Sequence, residues 1–325
     1  CNVSLYSPLA RSVRREKTLS IRESTMGDAT AERLRRGGYT RESARFTSRD
    51  GVILAADLFL PAGASRASFD DDGDGASGSR VGDGDDAPGP RTIVADPAFR
   101  DGAPHAMVTC HAHPKFGGHP DMMHRLCAHV ASSGCAVVNL HLRGAGASGG
   151  RGSWQGTGGE VDDARAAIDF AIRKLRARTV HLMGYSFGAT VLGAAIDHAP
   201  QVATYAAIAY PLGTYHAWSK GLFGFGAKLL MRAHCAPLRA SATPKLFVVG
   251  TRDCFTKAST LERFARGCAG GADANAFVEF EGADHFGFVA SPWSGRVCDA
   301  VRGFIADARS RSRHPVRDGG AGPVG

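Results

Sequence analysis

Short apolar runs alternate with amphipathic stretches from Ala106 onward, and this alternation constrains the fold more than any other feature of the sequence. In the clearest amphipathic stretch, Val161, Ala164, Ile168 and Ala171 recur every three or four positions, which is typical of a helix with one buried face. The apolar runs have the length of buried strands: Ala106 to Cys110, Ala136 to Leu142, Val180 to Tyr185, Ala203 to Tyr210, Leu246 to Gly250 and Ala276 to Phe280. Strands alternating with helices predict a doubly wound α/β fold with a mostly parallel sheet.

Two further runs near the N-terminus alternate apolar and polar residues, Ala44 to Ser48 and Val52 to Leu60. They flank Arg49-Asp50-Gly51, and an Asp-Gly pair between alternating runs is typical of a β-hairpin. Together with the buried strands, this predicts an eight-stranded sheet that opens with an antiparallel hairpin.

The remaining sequence divides into one domain and polar segments. We expect residues 1–40 to form a flexible N-terminal arm, 41–308 a single α/β domain and 309–325 a disordered C-terminal tail. Residues 61–105 are dominated in their middle by Asp, Gly, Ser and Ala, which cannot bury enough apolar surface to offset the entropy of ordering them. This segment is therefore predicted to be a mostly disordered acidic insertion.

Charge and cysteine content narrow the range of partners. The formal net charge is +8, but Asp70 to Asp86 contains seven Asp and one Arg, and most of the basic excess elsewhere is scattered arginine. Scattered arginine favours a solvated surface, so we predict no nucleic acid partner. The eight cysteines contain no C-x-x-C pair, which favours reduced thiols and a cytoplasmic location. The weakly charged stretch Thr179 to Ile196 contains His181, Ser186 and three glycines, so we predict no transmembrane segment.

The sharpest local signal is Gly184-Tyr185-Ser186-Phe187-Gly188, which lies between a predicted strand and a predicted helix. A serine on a tight strand-to-helix turn presents its hydroxyl clear of the sheet, and side chains larger than glycine would collide with the neighbouring backbone. The helix N-terminus adds free N–H groups and a partial positive charge. We interpret Ser186 as a nucleophile; the alternative is a glycine-rich turn that contains a serine.

A serine nucleophile requires a base that is itself oriented by a third group. Asp253 follows the predicted strand ending at Gly250, and His285 lies in the loop after the next strand. We therefore predict His285 as the general base and Asp253 as its acid, with Asp284 as a rival that would have to fold back to reach the same imidazole. The alternatives are an Asp253 that caps a helix starting near Lys257 and a His285 that is a polar loop residue.

These residues resemble the α/β-hydrolase superfamily, in which the order nucleophile, acid, histidine is typical, and more narrowly its dienelactone-hydrolase-like and serine-aminopeptidase-like members. The resemblance extends over Ala106 to Asp307. It includes His111-Ala112-His113-Pro114-Lys115-Phe116-Gly117-Gly118, where the family has His-Pro-His-Pro before a Gly-Gly pair, so that Ala112 replaces a proline. It also includes the turn Arg143-Gly144-Ala145-Gly146-Ala147-Ser148-Gly149-Gly150, for which we expect a structural role.

The resemblance implies an oxyanion hole built from backbone N–H groups. Phe187 would supply one N–H, and either His113 or Ala112 would supply the second. The function it implies is a serine hydrolase that cleaves a carboxylic ester or thioester of a small acyl substrate through an acyl-enzyme. Because this fold hosts many activities, a serine peptidase or amidase and a non-catalytic binding protein remain alternatives.

Residues 212–244 lie where this family often places its substrate-selecting segment. The segment could form a small apolar cap over the serine, or a helix that packs an apolar stripe on the sheet. Its large apolar residues are Tyr215, Trp218, Leu222, Phe223, Phe225, Leu229, Leu230 and Met231.

Several histidines raise the alternative of a metal site. His111 and His113 form an H-x-H pair, but its spacing from the later residues fits no familiar zinc motif; those residues are His119, Asp121, His124 and His129. In the acidic insertion, residues 70–75 match the first half of a calcium loop, but Val81 stands where a bidentate Glu is required. We therefore predict no metal and no cofactor.

Overall fold

The computed structural model describes residues 38–62, 96–99, 103–154, 156, 159–212 and 234–313. Within them, one sheet has the strand order β1-β2-β4-β3-β5-β6-β7-β8. Its strands are β1 (Tyr39–Thr47), β2 (Ile53–Pro61), β3 (His105–Cys110), β4 (Ala136–His141), β5 (Thr179–Tyr185), β6 (Val202–Ile208), β7 (Lys245–Arg252) and β8 (Asn275–Asp284). Each strand overlaps the apolar or alternating run from which it was predicted.

The sheet is antiparallel only at its N-terminal edge. β1 pairs with β2 around the Asp50-Gly51 turn, where Gly51 adopts a φ of 83° that glycine accommodates without strain. β2 is also antiparallel to β4, whereas every later pair is parallel. The predicted fold class, a mostly parallel eight-stranded sheet with an antiparallel hairpin, is confirmed.

Helices cover both faces of the sheet. They are α1 (His124–Ala131), α2 (Glu160–Arg173), α3 (Phe187–Ala194), α4 (Ala258–Arg266), α5 (Gly271–Ala274) and α6 (Trp293–Arg313). Along β5, Val180 and Leu182 belong to the apolar cluster under α2, α3 and α4, while Met183 and Tyr185 belong to the cluster under α1 and α6. Alternate side chains of a strand point to opposite faces, so burial on both faces explains why the strand is apolar throughout.

The domain continues beyond the boundary predicted at residue 308. α6 runs to Arg313, so residues 309–313 of the predicted disordered tail are helical. The physical reason is tertiary: the Arg309 guanidinium donates to the carbonyl oxygen of Ala98, and the Arg302 guanidinium lies 3.0 Å from the Asp96 carboxylate. The tail prediction for residues 314–325 lies outside the described residues.

Other predicted segments lie largely outside the described part of the chain. The N-terminal arm is described only from residue 38, and β1 begins inside its predicted range. Residues 63–95 and 100–102 of the predicted acidic insertion are not described, but Phe99 packs in the core with 4% of its surface exposed. Residues 213–233 of the predicted cap are also outside; residues 234–240, which follow, are helical.

No helix of the described residues is long and apolar enough to cross a membrane. The weakly charged stretch Thr179 to Ile196, which was considered as a possible transmembrane segment, forms β5 and α3.

A buried arginine joins the hairpin, the sheet and α2. Arg143 follows β4, and its Nη2 lies 2.7 Å from Oδ1 of Asp163 on α2, which is fully buried. Its Nη1 lies 2.7 Å from Oδ2 of Asp50 in the hairpin turn. The planar guanidinium therefore holds three separate elements with paired hydrogen bonds.

We expect Arg143→Ala to lower the free energy of unfolding by about 3–5 kcal/mol, because it leaves the Asp163 carboxylate buried without its charged partner. Urea denaturation measures the loss. Arg165→Ala, which removes a partly exposed pair with Asp162 on the same helix, is the matched control and should cost about 1 kcal/mol or less. Equal losses in the two variants would contradict a structural role for the buried pair.

Candidate active site

The backbone at Ser186 is held in a conformation that few side chains tolerate. Ser186 has φ 52° and ψ −118°, between the end of β5 and the first residue of α3. A Cβ on Gly184 would lie 2.3 Å from Cα of Ala189, and one on Gly188 would lie 2.3 Å from the carbonyl oxygen of Cys110. Both positions therefore require glycine, as the sequence pattern predicted. The strained turn raises the serine hydroxyl above the end of the strand.

Hydrogen bonds connect Ser186, His285 and Asp253 in one line. The Oγ atom of Ser186 lies 2.9 Å from Nε2 of His285, and Nδ1 of His285 lies 2.8 Å from Oδ2 of Asp253. The imidazole and the carboxylate are both buried. If Nδ1 carries the proton donated to Asp253, Nε2 is left free to accept the serine proton.

Asp253 is fixed by its own loop. Its Oδ1 atom accepts the backbone N–H groups of Phe255 at 2.8 Å and Thr256 at 2.9 Å, which leaves Oδ2 for the imidazole. It does not cap α4, whose preceding residue, Lys257, makes no side-chain capping bond. The structure brings together the three residues that the sequence singled out.

The rival acid Asp284 bonds elsewhere. Its Oδ1 atom accepts the N–H groups of Phe286 at 2.9 Å and Gly287 at 2.8 Å. These bonds close the turn that leads into the short 3-10 helix Gly287–Val289. Asp284 thus shapes the loop that carries His285, while Asp253 contacts the imidazole.

Aromatic residues enclose His285. The Tyr185 hydroxyl donates to the backbone carbonyl of His285, and burial raises the pKa of that hydroxyl, which keeps it protonated. The rings of Phe255 and Phe286 lie 4.1 Å and 5.3 Å from the imidazole centre. Sequence reasoning did not assign these roles, because a contact between residues 185 and 285 has no local signature.

The loop at residues 111–118 lies beside the serine turn. The His113 ring packs 4.4 Å from the ring of Phe187, and its Nδ1 accepts the N–H of Lys115. His111 is fully buried: its Nδ1 lies 2.7 Å from the carbonyl oxygen of Ala112, and its Nε2 accepts the N–H of Leu142 at 3.4 Å. The two histidines of the H-x-H pair thus bond backbone groups and do not converge on a common point.

Known proteins resemble this chain in sequence and in fold. Residues 104–232 match the family model described as serine aminopeptidase, S33. The uncharacterized protein RP471 of Rickettsia prowazekii is 29% identical over 119 residues, which are 36% of this chain and 49% of that protein. The chain therefore spans about half the length of the curated relative it matches.

Two solved structures share the fold. A Xanthomonas campestris protein described as an α/β serine hydrolase without a lid has a TM-score of 0.53 at 17% identity, over 84% of this chain and 95% of that one. The Pyrococcus furiosus esterase Pf2001 has a TM-score of 0.54 at 14% identity, over 83% of this chain and 92% of that one. The chain has the fold of the α/β-hydrolase superfamily. The fold that the resemblance implied is thereby confirmed.

In this α/β-hydrolase fold, a small cleft of about 60 Å³ lies against the 111–118 loop. Its walls include His113, Lys115 and Phe187, together with Glu160 at the start of α2. At its side the exposed Trp154 packs against Phe116, and Nζ of Lys115 lies 4.4 Å from the Trp154 ring centre.

The pKa of His111 is lowered from 6.5 to about 3, because burial disfavours the charged imidazole. Protonation of Nε2 would also break the hydrogen bond that it accepts from the N–H of Leu142, because two donors would then face each other. Since the unfolded chain takes up this proton more readily, stability is lost as the pH falls below about 6.5 and the loss levels off below about 3.

We therefore expect the free energy of unfolding at pH about 4 to be lower than at pH 7 by on the order of 3 kcal/mol through His111 alone. Urea unfolding between pH 7 and about 4 measures this, and His111→Asn, although less stable at neutral pH, should show a flatter dependence on pH. Parallel curves for the two proteins would show that His111 does not carry the acid sensitivity.

Proposed function

We propose that this protein is a serine hydrolase that cleaves carboxylic esters or thioesters through an acyl-enzyme. The observation that carries the proposal is the hydrogen-bonded line from Ser186 through His285 to Asp253, which starts at a strained strand-to-helix turn. Such a line gives a serine the base it needs and gives that base a fixed orientation.

The mechanism follows from the positions of these atoms. His285 Nε2 removes the Ser186 proton as Oγ attacks the substrate carbonyl carbon, and Asp253 stabilises the resulting imidazolium. The tetrahedral intermediate collapses when His285 returns the proton to the leaving alcohol or thiol, which leaves the acyl group on Oγ. Water, deprotonated by the same imidazole, then attacks the acyl carbon and releases the acid.

The negative oxygen of the intermediate requires donors nearby. Phe187 is the first residue of α3, where backbone N–H groups have no acceptor within the helix. For the second donor the geometry favours His113 over Ala112. The Ala112 carbonyl is turned toward His111, and in a trans peptide the N–H of His113 points the opposite way. We assign the hole to Phe187 and His113.

Ester or thioester cleavage is favoured over amide cleavage by the acidic groups in the cleft beside Phe187, the residue that follows Ser186. An aminopeptidase needs a free carboxylate to hold the substrate ammonium group. Glu160, the acidic residue in the described cleft wall, is buried and already accepts the N–H of Ser153. A peptidase or amidase is the second candidate, since the matching family model is described as serine aminopeptidase.

We expect Ser186→Ala and His285→Ala each to lower kcat by about 10⁴-fold or more, and the double variant to be little worse than either, because the groups act as one unit. Ester hydrolysis kinetics measure this. A fluorophosphonate probe should label the wild type and not Ser186→Ala. Additive losses, or labelling that survives the substitution, would overturn the assignment, whereas a wild type that shows neither turnover nor labelling would favour a binding protein.

The two carboxylates provide a matched pair for the acid. Asp253→Asn should lower kcat strongly, because the amide no longer stabilises the imidazolium. Asp284→Asn should be milder, because its carboxylate bonds only backbone N–H groups of its own loop. The reverse ranking would transfer the role to Asp284.

Substrate class is tested by one screen. We expect p-nitrophenyl esters of short acyl chains to be turned over with higher kcat/KM than aminoacyl p-nitroanilides, since no free carboxylate of the described cleft can bind the ammonium group. A strong preference for the aminoacyl amides, abolished in Ser186→Ala, would replace the esterase proposal by the aminopeptidase one.

A further inference from the structure

A second cluster of histidine and aspartate lies where β2 meets the 3-10 helix Pro120–Met123 and the start of α1. Asp57, on β2, is nearly fully buried, and its Oδ2 lies 2.8 Å from Nε2 of His124. The same Nε2 lies 3.2 Å from Oδ1 of Asp121. One imidazole nitrogen thus faces two carboxylate oxygens, although it carries at most one hydrogen to share between them.

The spacing of these atoms suits a metal ion. The ligand atoms of Asp57, Asp121 and His124 all lie within 4.8 Å of one another. Zinc binds histidine nitrogen and carboxylate oxygen at about 2.0–2.2 Å, so neighbouring ligand atoms at tetrahedral angles around it lie roughly 3.3–3.6 Å apart. Two separations in the cluster, 2.8 Å and 3.2 Å, are shorter than this by a few tenths of an ångström, so the ligand atoms would move slightly apart to admit the ion.

Surrounding groups fix the position of the Asp57 carboxylate. Nε2 of His141 lies 3.0 Å from its Oδ2. Nη2 of Arg41 lies 3.0 Å from its Oδ1 and 4.0 Å from Oδ1 of Asp121. A carboxylate ligand supported by outer hydrogen bonds is the usual arrangement in metal sites.

His141 itself is an outer partner. Its Nδ1 accepts the N–H of Ala147 at 3.2 Å, so in the neutral ring the proton lies on Nε2 and is donated to Asp57. A metal ligand would need a free electron pair at that atom. No local sequence motif joins the three proposed ligands, since Asp57 lies 64 residues before Asp121 in the chain.

We propose that Asp57, Asp121 and His124 form a Zn²⁺ site with its remaining coordination open to solvent. Asp121 is 64% exposed and provides the path of entry, while Asp57 fixes the ion to the sheet. The ion ties β2 to the start of α1. The site shares no residue with Ser186, His285 and Asp253, so the metal proposal can be tested independently of the proposed hydrolysis.

The test is a titration of the full chain with the metal alone after EDTA treatment and dialysis. Calorimetry should show one Zn²⁺ bound in the micromolar range or tighter, with a rise in Tm, and Co²⁺ should give visible absorption that Zn²⁺ abolishes. His124→Ala and Asp121→Asn should each remove this binding. His198→Ala is the matched control, since His198 makes a similar 2.9 Å contact with Asp169 elsewhere on the surface, and it should bind as the wild type does.

Further variants distinguish residues that bind the metal ion from residues that only hydrogen-bond to a metal ligand. His141→Asn should weaken binding about 10–100-fold without abolishing it, as expected for a residue that orients a ligand. Because Asp121 is exposed, we expect Asp121→Asn to fold, so it tests metal binding even if Asp57→Asn fails to fold. Binding only at millimolar concentration, unchanged affinity in His124→Ala, or loss of the Co²⁺ spectrum in His285→Ala would each overturn the proposal.

Discussion

The close backbone packing around Ser186 determines how the other parts of the site are arranged. Gly184 lets the first turn of α3 return against the end of β5, and Gly188 lets the same turn contact the carbonyl of Cys110 at the end of β3. Because β3 leads directly into the 111–118 loop, this second contact brings that loop beside the serine. A side chain at either glycine would separate the elements that together surround the hydroxyl.

The parallel sheet then delivers the remaining groups to the same edge. β7 and β8 follow β5 and β6 in spatial order, and the loops after β7 and β8 carry Asp253 and His285. Carboxyl ends of parallel strands lie at one edge, which is why residues far apart in sequence can form one hydrogen-bonded line. Tyr185 adds a bond across 100 positions, from the serine turn to the backbone of His285.

The sequence predicted those features that have local signatures. The central strands β3 to β7 were visible as apolar runs because they are buried on both faces. Ser186 was visible because its turn requires glycine on either side. The order of Ser186, Asp253 and His285 then identified the partners. The disordered tail was predicted to start at residue 309 because residues 309–313 are polar, whereas they are helical and Arg309 contacts the Ala98 carbonyl, a contact that no local pattern reveals.

The histidines show why spacing alone misleads. The H-x-H pair suggested ligands, yet His111 and His113 bond separate backbone groups, and the cluster with metal-like spacing recruits Asp57 from a distant strand. The register that places Asp57 opposite Asn139 of β4 also places it near His141, two residues further along.

The two acids near His285 illustrate the same principle at closer range. Asp284 is its neighbour in sequence, but the turn into the 3-10 helix leaves two N–H groups facing that carboxylate, and Asp284 could reach the imidazole only by releasing them. Asp253 has two N–H partners as well, but they bind one oxygen and leave the other directed at Nδ1. The choice between the acids therefore depends on how each loop satisfies its own backbone, which is a property of the folded turns and not of distance along the chain.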